Sequence, residues 1–186
     1  MNAADQRYSY ESSVPLPDLH GKSEILEQQH IRELSRYLLA RAEGYSWTLA
    51  FTTSQMGFSL KSLYRSLAKY EGPVLLVIQD AEHVVFGAFS SCSLKPSESF
   101  YGTGETYLFT FKHNQLRRYP WTGDNLYFTK GGSDSLAFGA GEGNFGLWLD
   151  GDLYHGSTHT CTTFNNEPLT HNQDFVVGTL ECWCFL

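Results

Sequence analysis

The sequence predicts an α+β fold that is mainly β, a two-sheet antiparallel β-sandwich with flanking α-helices. Short segments rich in aromatic and β-branched residues follow one another from residue 74 onward. Turn signals that contain glycine separate them, and no helical pattern intervenes, which argues against parallel βαβ crossovers. Two amphipathic helical patterns occur earlier in the chain, and their apolar stripes need a sheet to pack on.

The first part of the chain differs in character from the rest. Residues 1–22 show no periodicity and include Pro15, Pro17 and Gly21, so we expect a flexible lead-in that docks by its few apolar residues. We therefore place the folded domain at residues 23–186.

Two helices are predicted after the lead-in. Between Ser23 and Gly44 apolar residues recur at mostly helical spacing, with Ser23 suited to cap the start and Gly44 to end the helix. The second pattern is shorter: Ser59 is placed to cap a helix whose apolar positions run from Leu60 to Leu67 at i, i+3, i+4 and i+7.

The remaining elements read as strands. Alternating or continuous apolar patterns predict them at 47–51, 74–78, 84–89, 107–111, 116–121, 126–129, 135–138, 145–149 and 175–185. In the last strand Cys182 and Cys184 share one face, while Trp183 and Phe185 share the other.

Composition and charge exclude several classes of protein. The 186 residues are 41% hydrophobic and carry a net charge of −7, with 18% charged residues, which argues against disorder and against a nucleic-acid binder. Residues 119–186 hold Lys130 alone against eight acidic residues. This last third should repel phosphate backbones and favour either solvent or a basic partner, an effect that should weaken as salt rises.

Location and redox state follow from what the sequence lacks. No apolar run approaches the roughly 20 residues of a membrane span, and the polar N-terminal sequence does not resemble a signal peptide. The four cysteines form no C-x-x-C pair, so we expect reduced thiols in an intracellular protein. The expected location is the cytoplasm, with mitochondria and nucleus as alternatives.

Three stretches resemble known functional motifs but lack residues that those motifs require. The glycine-rich stretch 139–146 precedes a strand and lacks the G-K-[ST] of a phosphate loop, so its glycines are interpreted as bulges and close approaches. Residues 131–135 lack the closing glycine of a hydrolase G-x-S-x-G motif. A calcium loop from Asp150 needs glutamate at its twelfth position, which is Cys161, so we interpret 150–152 as a hairpin turn.

The segment from His155 to Glu167 contains the chain's densest group of residue types that act in catalysis or bind metals. Cys161 activated by His155 or His159 would be a reactive thiolate, and the same groups are ligand types for zinc. Neither the reactive thiolate site nor the zinc site is complete in this segment. For zinc, the fourth ligand would have to come from Glu167 or from a distant residue. The favoured interpretation is that polar side chains tie a long connection to the sheet. We therefore expect no catalytic residues, no metal and no cofactor.

Nine phrases follow one another in order along the chain: EGYSWTL (43–49), GFSLKSLY (57–64), GPVLLVI (72–78), VFGAF (85–89), FYGTGE (100–105), WTGDN (121–125), DSLAFG (134–139), LWLDGDLYHG (147–156) and TFN (163–165). From about residue 23 to residue 186, they resemble the TLDc domain of the oxidation resistance proteins. The short lead-in suggests a stand-alone member of the oxidation-resistance type, which we expect to be a monomer.

The resemblance implies both fold and function. It implies the two-sheet sandwich, a role in protection from oxidative stress, and binding and regulation of the vacuolar proton-pumping ATPase. No catalytic mechanism accompanies the motifs. This chain departs from the family where it ends in Cys182 to Leu186 rather than an acidic residue, and where Ala140 and Glu142 interrupt the glycine run.

Two functional hypotheses follow. In the first, the chain is a non-catalytic binding and regulatory domain, and its candidate partner contacts are Trp121 as an anchor with the acids Asp124, Asp150, Asp152 and Glu167. In the alternative, the chain reacts with peroxide through the Cys161 thiolate. We also expect Gly102, Gly139 and Gly151 to occupy turns with positive φ, where substitution would unfold the domain.

Overall fold

The computed structural model of the chain describes residues 15–40 and 42–186. The predicted flexible lead-in lies outside the described residues from position 1 to 14. In the described part of that lead-in, Leu16 and Leu19 pack against the hydrophobic core. The domain boundary at residue 23 stays a prediction.

The elements follow in chain order. The strands are β1 Leu19–His20, β2 Trp47–Thr52, β3 Val74–Asp80, β4 Val85–Ser90, β5 Tyr107–Thr110, β6 Arg117–Tyr119, β7 Thr129–Gly131, β8 Ser135–Gly141, β9 Asn144–Asp150, β10 His155–Ser157 and β11 Asp174–Phe185. The helices are α1 Gln28–Ser35, α2 Thr53–Met56 and α3 Leu60–Leu67. The mainly β prediction is confirmed.

The two predicted helices have different outcomes. Helix α3 forms as predicted, and the Ser59 hydroxyl caps it by accepting a hydrogen bond from the Ser62 N–H at 3.3 Å. The first helix is shorter than predicted, because Ser23 caps a separate turn: its Oγ accepts hydrogen bonds from the N–H groups of Ile25 and Leu26. Helix α2 was not predicted.

Strand β11 belongs to both sheets. Its first residues pair with β10 and so join the sheet β10-β9-β8-β7. From Val177 onward it pairs with β3, and from Glu181 it also pairs with β2, which joins it to the sheet that continues through β4, β5 and β6. All these pairs are antiparallel, and β1 with β2 forms the parallel exception.

The second of these sheets is buried on both faces. Its inner face, with Cys182 and Cys184, packs on the other sheet and on α3. Its outer face, with Trp183 and Phe185, is covered by α1 and by neighbouring residues of the N-terminal segment. The predicted division of the last strand into two faces is therefore confirmed.

A buried carboxylate fixes the N-terminal segment to this sheet. Glu181, on β11, has no exposed surface and accepts hydrogen bonds from Ser23 Oγ at 2.7 Å and from the Glu24 N–H at 2.8 Å. The Trp183 indole N–H donates to the same side chain at 3.1 Å. Glu181 is one of the eight acids of the last third, so burial removes it from the acidic surface.

The glycine-rich stretch forms the β8–β9 hairpin. Glu142 and Gly143 at its tip have φ of 57° and 80°, the left-handed pair that a two-residue hairpin turn requires. Gly139 also has a positive φ of 76°, as does Gly102 at 104°. Gly151 does not, which corrects that prediction: its turn places the left-handed residue at Leu153.

Within residues 15–40 and 42–186, no helix has the length and apolar character that crossing a membrane requires.

Candidate partner-binding surface

Trp121 lies in the connection between β6 and β7, residues 120–128, which we call the Trp121 loop. The indole packs edge to face on Phe128, with ring centroids 5.4 Å apart, and its Nε1–H donates to the Asn125 carbonyl at 2.7 Å. A side chain at Gly104 would overlap the indole ring, so glycine there makes room for it. The ring is thereby held in one orientation while 37% of the residue stays exposed.

Contacts to two other segments fix the backbone of the Trp121 loop. The Thr122 N–H donates to the Thr163 carbonyl at 3.0 Å, and Asn125 Nδ2 donates to the Ala140 carbonyl on β8 at 3.1 Å. Thr163 Oγ1 returns a hydrogen bond to Asn125 Oδ1 at 2.7 Å. The loop is therefore pre-organised, which lowers the entropic cost of binding a partner.

The Trp121 loop exposes apolar side chains where the sequence predicts a strand. Leu126 is 67% exposed and Tyr127 is 47% exposed, with the tyrosine ring against Phe100 at 5.0 Å. The 126–129 pattern predicted a strand, but β7 begins only at Thr129. Because large apolar groups exposed side by side mark interaction sites, these two residues join Trp121 as candidate contacts.

Asp124, in the same loop, borders an acidic hollow of about 480 Å³. Asp124 is exposed, and Glu142 at the β8–β9 hairpin tip lines the hollow with it. No lysine or arginine is among the described residues that line the hollow. The surface beside Trp121 therefore combines apolar anchors with negative charge.

The other acidic candidates lie elsewhere. Asp150 ends β9, where its carboxylate accepts the Tyr154 N–H at 3.0 Å and lies 3.7 Å from His155. Asp152 is exposed in the following turn. Glu167 is exposed and lies 3.9 Å from Arg117, which offsets its charge.

The five predicted contacts therefore do not form one surface. The Trp121 loop is attached at Ala140, near the β8–β9 hairpin tip, whereas Asp150 and Asp152 lie at the other end of β9. A strand of that length spans about 20 Å. All five residues remain predicted partner contacts. The structure places Trp121 near Asp124, and Asp150 near Asp152.

Cys161 is buried, with 2% exposure, and packs on β8 and β9. Its Sγ lies 3.3 Å from Asn166 Oδ1, and a side chain at Gly139 or Gly146 would collide with the sulfur. Burial raises the pKa of this thiol, outweighing nearby hydrogen bonds that lower it. A thiol held in its neutral form is a poor nucleophile.

The structure does not place the two histidines as partners of this thiol. His155 is exposed on β10, with its imidazole toward Asp150, and neither imidazole is among the described groups that contact the Cys161 thiol or shift its pKa. Over the described ranges, no group of three or more His, Cys, Asp or Glu side chains is arranged to hold a metal ion.

Hydrogen bonds instead tie this connection to the sheet. Thr158 Oγ1 donates to the Gly146 carbonyl at 2.7 Å, and Thr163 Oγ1 accepts the Ala140 N–H at 2.9 Å. Asn166, 1% exposed, donates to the carbonyls of His159 and Glu167. Thr158, Thr163 and Asn166 therefore hold the conformation of this segment.

Comparison with known proteins adds the family. The family model described as the TLDc domain matches residues 19–186. The chain belongs to the TLDc domain family. This TLDc domain is 47% identical over 183 residues to oxidation resistance protein 1 of Xenopus laevis, covering 98% of this chain and 21% of that protein.

Two human relatives show a similar degree of sequence identity. The TLDc domain is 49% identical over 175 residues to human oxidation resistance protein 1, covering 94% of this chain and 20% of that protein. It is 48% identical over 178 residues to human nuclear receptor coactivator 7, covering 96% of this chain and 19% of that protein. The chain thus spans about a fifth of the length of these relatives, and the family resemblance drawn from the sequence is confirmed.

Proposed function

We propose that this TLDc domain is a non-catalytic regulatory domain that binds the vacuolar proton-pumping ATPase through the Trp121 loop and takes part in protection from oxidative stress. The observation that carries the proposal is the Trp121 loop itself, a pre-organised segment with exposed apolar groups beside acidic residues. The name of the oxidation resistance relatives supports the stress role.

The chemistry of the Trp121 loop favours a protein partner with a basic surface. A partly exposed indole is a frequent energetic anchor in interfaces, because it buries a large area with little loss of conformational entropy. Asp124 and Glu142 add negative charge beside it, and no lysine or arginine among the described residues that line the hollow neutralises these two carboxylates. Charges at the rim of an interface act mainly on the association rate and on specificity.

The thiol alternative receives less support. A peroxide-reactive cysteine needs an accessible thiolate, whereas Cys161 is 2% exposed and its pKa is raised. We therefore propose binding as the function and keep thiol chemistry as an outcome of the test. A monomeric state and a cytoplasmic location stay predictions from the sequence.

The test is capture of purified cytosolic ATPase subcomplexes by the immobilised chain, under reducing and under peroxide-treated conditions. We expect capture in both, and a loss of about tenfold in affinity for Trp121→Ala, the typical effect of a central aromatic anchor. Asp124→Lys should weaken capture most at low salt. Ser99→Ala, at an exposed position outside the Trp121 loop, is the matched control.

Two results would contradict the proposal. Capture that both loop variants leave unchanged would remove the Trp121 loop as the binding site. No capture in either condition, together with peroxide loss that Cys161→Ser abolishes, would replace the binding function by thiol chemistry.

A further inference from the structure

His30 lies in the first turn of helix α1, and its imidazole caps the start of that helix. The Glu27 N–H donates to His30 Nδ1 at 3.0 Å, and Glu27 is the extended residue directly before the helix, with φ −94° and ψ 167°. The first N–H groups of a helix have no partner within it, so a side chain has to accept them. His30 is the third helical residue, and it takes the position that glutamate or glutamine takes in a capping box.

This hydrogen bond defines the protonation state of the imidazole. A backbone N–H can only donate, so Nδ1 accepts through its lone pair and the proton of the neutral ring is on Nε2. In the imidazolium ion both ring nitrogens carry a proton and donate. Protonation of His30 therefore removes the acceptor and sets two N–H groups against each other.

Packing holds the ring between the start of α1 and the sheet. The imidazole lies edge to face on Phe111, with ring centroids 4.6 Å apart. Phe111 is 6% exposed and belongs to the same hydrophobic cluster as Ile31 and Leu34 of α1. The Ile31 N–H donates to the Glu27 carbonyl at 3.2 Å, which closes the first turn beside the ring. The cap is therefore connected to the packing of α1 on the outer face of the sheet.

His30 borders a hollow of about 250 Å³ whose described lining contains two other titratable groups. Glu27 belongs to the same segment as His30, and His83 lies in the turn between β3 and β4. The uncharged residues of the lining on β3, on β4 and after β5 are Gln79, Val85, Phe111 and Asn114. The negative charge of Glu27 is therefore the one that can stabilise a protonated His30 from within this lining.

Burial lowers the pKa of His30, and this effect outweighs the Glu27 carboxylate, which raises it. A lowered pKa means that the unfolded chain binds a proton more readily than the folded chain. The stability that neutral His30 contributes is thus complete above the ordinary histidine pKa of 6.5, and it is lost as the pH falls from there through the lowered pKa.

We propose that His30 is a pH-sensitive cap: the neutral imidazole closes the first turn of α1, and protonation opens residues 27–30 and exposes the Phe111 ring beneath them. The opening is local, because the Glu24 N–H stays bound to Glu181 on one side and Leu34 stays in the core on the other. The cap lies on α1 and not in the Trp121 loop, so this proposal goes beyond the function above and can fail independently of it.

The test is ¹⁵N NMR of the full chain between about pH 7.5 and pH 4.5, a range that brackets the ordinary pKa of histidine. The Nδ1 of the neutral His30 ring should have the chemical shift of an unprotonated ring nitrogen. The protection factor of the Glu27 amide compares its hydrogen exchange with that of an unstructured peptide at the same pH. We expect this factor to fall about fivefold as the pH decreases, the usual contribution of a helix cap.

Three variants identify the titrating group. His30→Gln should make the protection factor independent of pH, because glutamine accepts the same N–H in a capping box and does not titrate. His30→Ala should lower the factor at every pH. The matched control is His83→Asn, which removes the other imidazole of the hollow and suits the left-handed φ of 67° at that position. It should keep the pH dependence of the wild type.

The proposal would be overturned by a proton on Nδ1 of the neutral ring, or by a wild-type protection factor that does not change over this range. The same pH dependence in His30→Gln as in the wild type would also overturn it, as would loss of that dependence in His83→Asn. The Nδ1 chemical shift is measured on the wild-type chain, so one decisive result does not require any variant to fold.

Discussion

Ser23 Oγ donates a hydrogen bond to Glu181 at 2.7 Å, joining two residues that are 158 positions apart in the sequence. Glu181 has no exposed surface and accepts hydrogen bonds from three neutral donors, so its carboxylate is hydrogen-bonded within the protein. The pair connects the N-terminal segment to the last strand, and it makes a stability prediction possible.

Glu181→Ala should lower the free energy of unfolding by about 3 kcal/mol, because it leaves buried donors without an acceptor. Ser23→Ala should cost less, about 1 kcal/mol, since Ser23 is partly exposed and Glu181 keeps its other two donors. Urea unfolding measures both, with the exposed Ser66→Ala as control. A loss for Glu181→Ala no larger than for Ser66→Ala would contradict the prediction.

Gly104→Ala tests whether the orientation of Trp121 matters. The added methyl group overlaps the indole ring and should displace it, since Gly104 lies directly beneath it. We expect the NMR resonance of the Trp121 indole N–H to move as its hydrogen bond to Asn125 is lost, and ATPase capture to fall as for Trp121→Ala. Retained capture with a displaced indole would show that the ring's orientation is unimportant.

The cysteines should differ in reactivity. Cys92 is partly exposed, whereas Cys161, Cys182 and Cys184 are buried, and burial raises the pKa of the three buried thiols. Alkylation of the native chain by iodoacetamide should therefore modify Cys92 first, as peptide mass spectrometry would reveal. Cys161→Ser should not change peroxide consumption. Modification of Cys161 as fast as Cys92 would revive the thiol hypothesis.

Two glycines, Gly139 on β8 and Gly151 in the turn after β9, should respond differently to alanine. Gly139 has a φ of 76°, and a Cβ there would lie 2.7 Å from Cys161 Sγ, so Gly139→Ala should cost about 3 kcal/mol. Gly151 has an ordinary φ, and its nearest contact would be 3.3 Å from the Asp134 carbonyl oxygen, so Gly151→Ala should cost under about 1 kcal/mol. Equal melting temperatures for the two variants would contradict this ranking.

Asp80 should make stability depend on pH. Burial raises its pKa, with the Glu82 carboxylate adding to the rise, while backbone N–H groups and His171 act in the opposite direction. A raised pKa in the folded state means that folding favours the protonated acid, and this contribution is lost as pH rises through the folded pKa. Asp80→Asn should remove this loss of stability at higher pH, because the asparagine side chain does not titrate.

The measurement is urea unfolding of wild type and Asp80→Asn between about pH 3 and pH 7, a range that brackets the ordinary pKa of aspartate. The stability of the variant relative to wild type should increase with rising pH. A difference that is constant over this range, or that falls, would contradict the prediction.

Local patterns predicted most of this fold. The stripe and cap of α3 and the alternating faces of the last strand depend on neighbouring residues, and both were correctly predicted. The first helix was predicted too long, because the ability of Ser23 to cap a different turn depends on the distant Glu181. Strand β10 was missed because three residues that include glycine carry no apolar alternation.

The sites were harder to predict. Trp121 and Asp124 share one phrase of the sequence and lie on one loop, so their proximity could be predicted. The attachment of this loop to Thr163 and Ala140, however, joins segments that are distant in the sequence, and no local pattern encodes such contacts.

Because β11 contributes to both sheets, neither sheet can be completed before the last strand arrives. Its residue Phe185 pairs with Trp47, and these two residues lie near opposite ends of the domain's sequence. Contacts between residues so distant in sequence form only after large loops have closed. The entropic cost of that closure precedes the stabilising contacts, and this slows folding. The domain should therefore fold slowly for its size, with both sheets acquiring protection from hydrogen exchange in a single kinetic step.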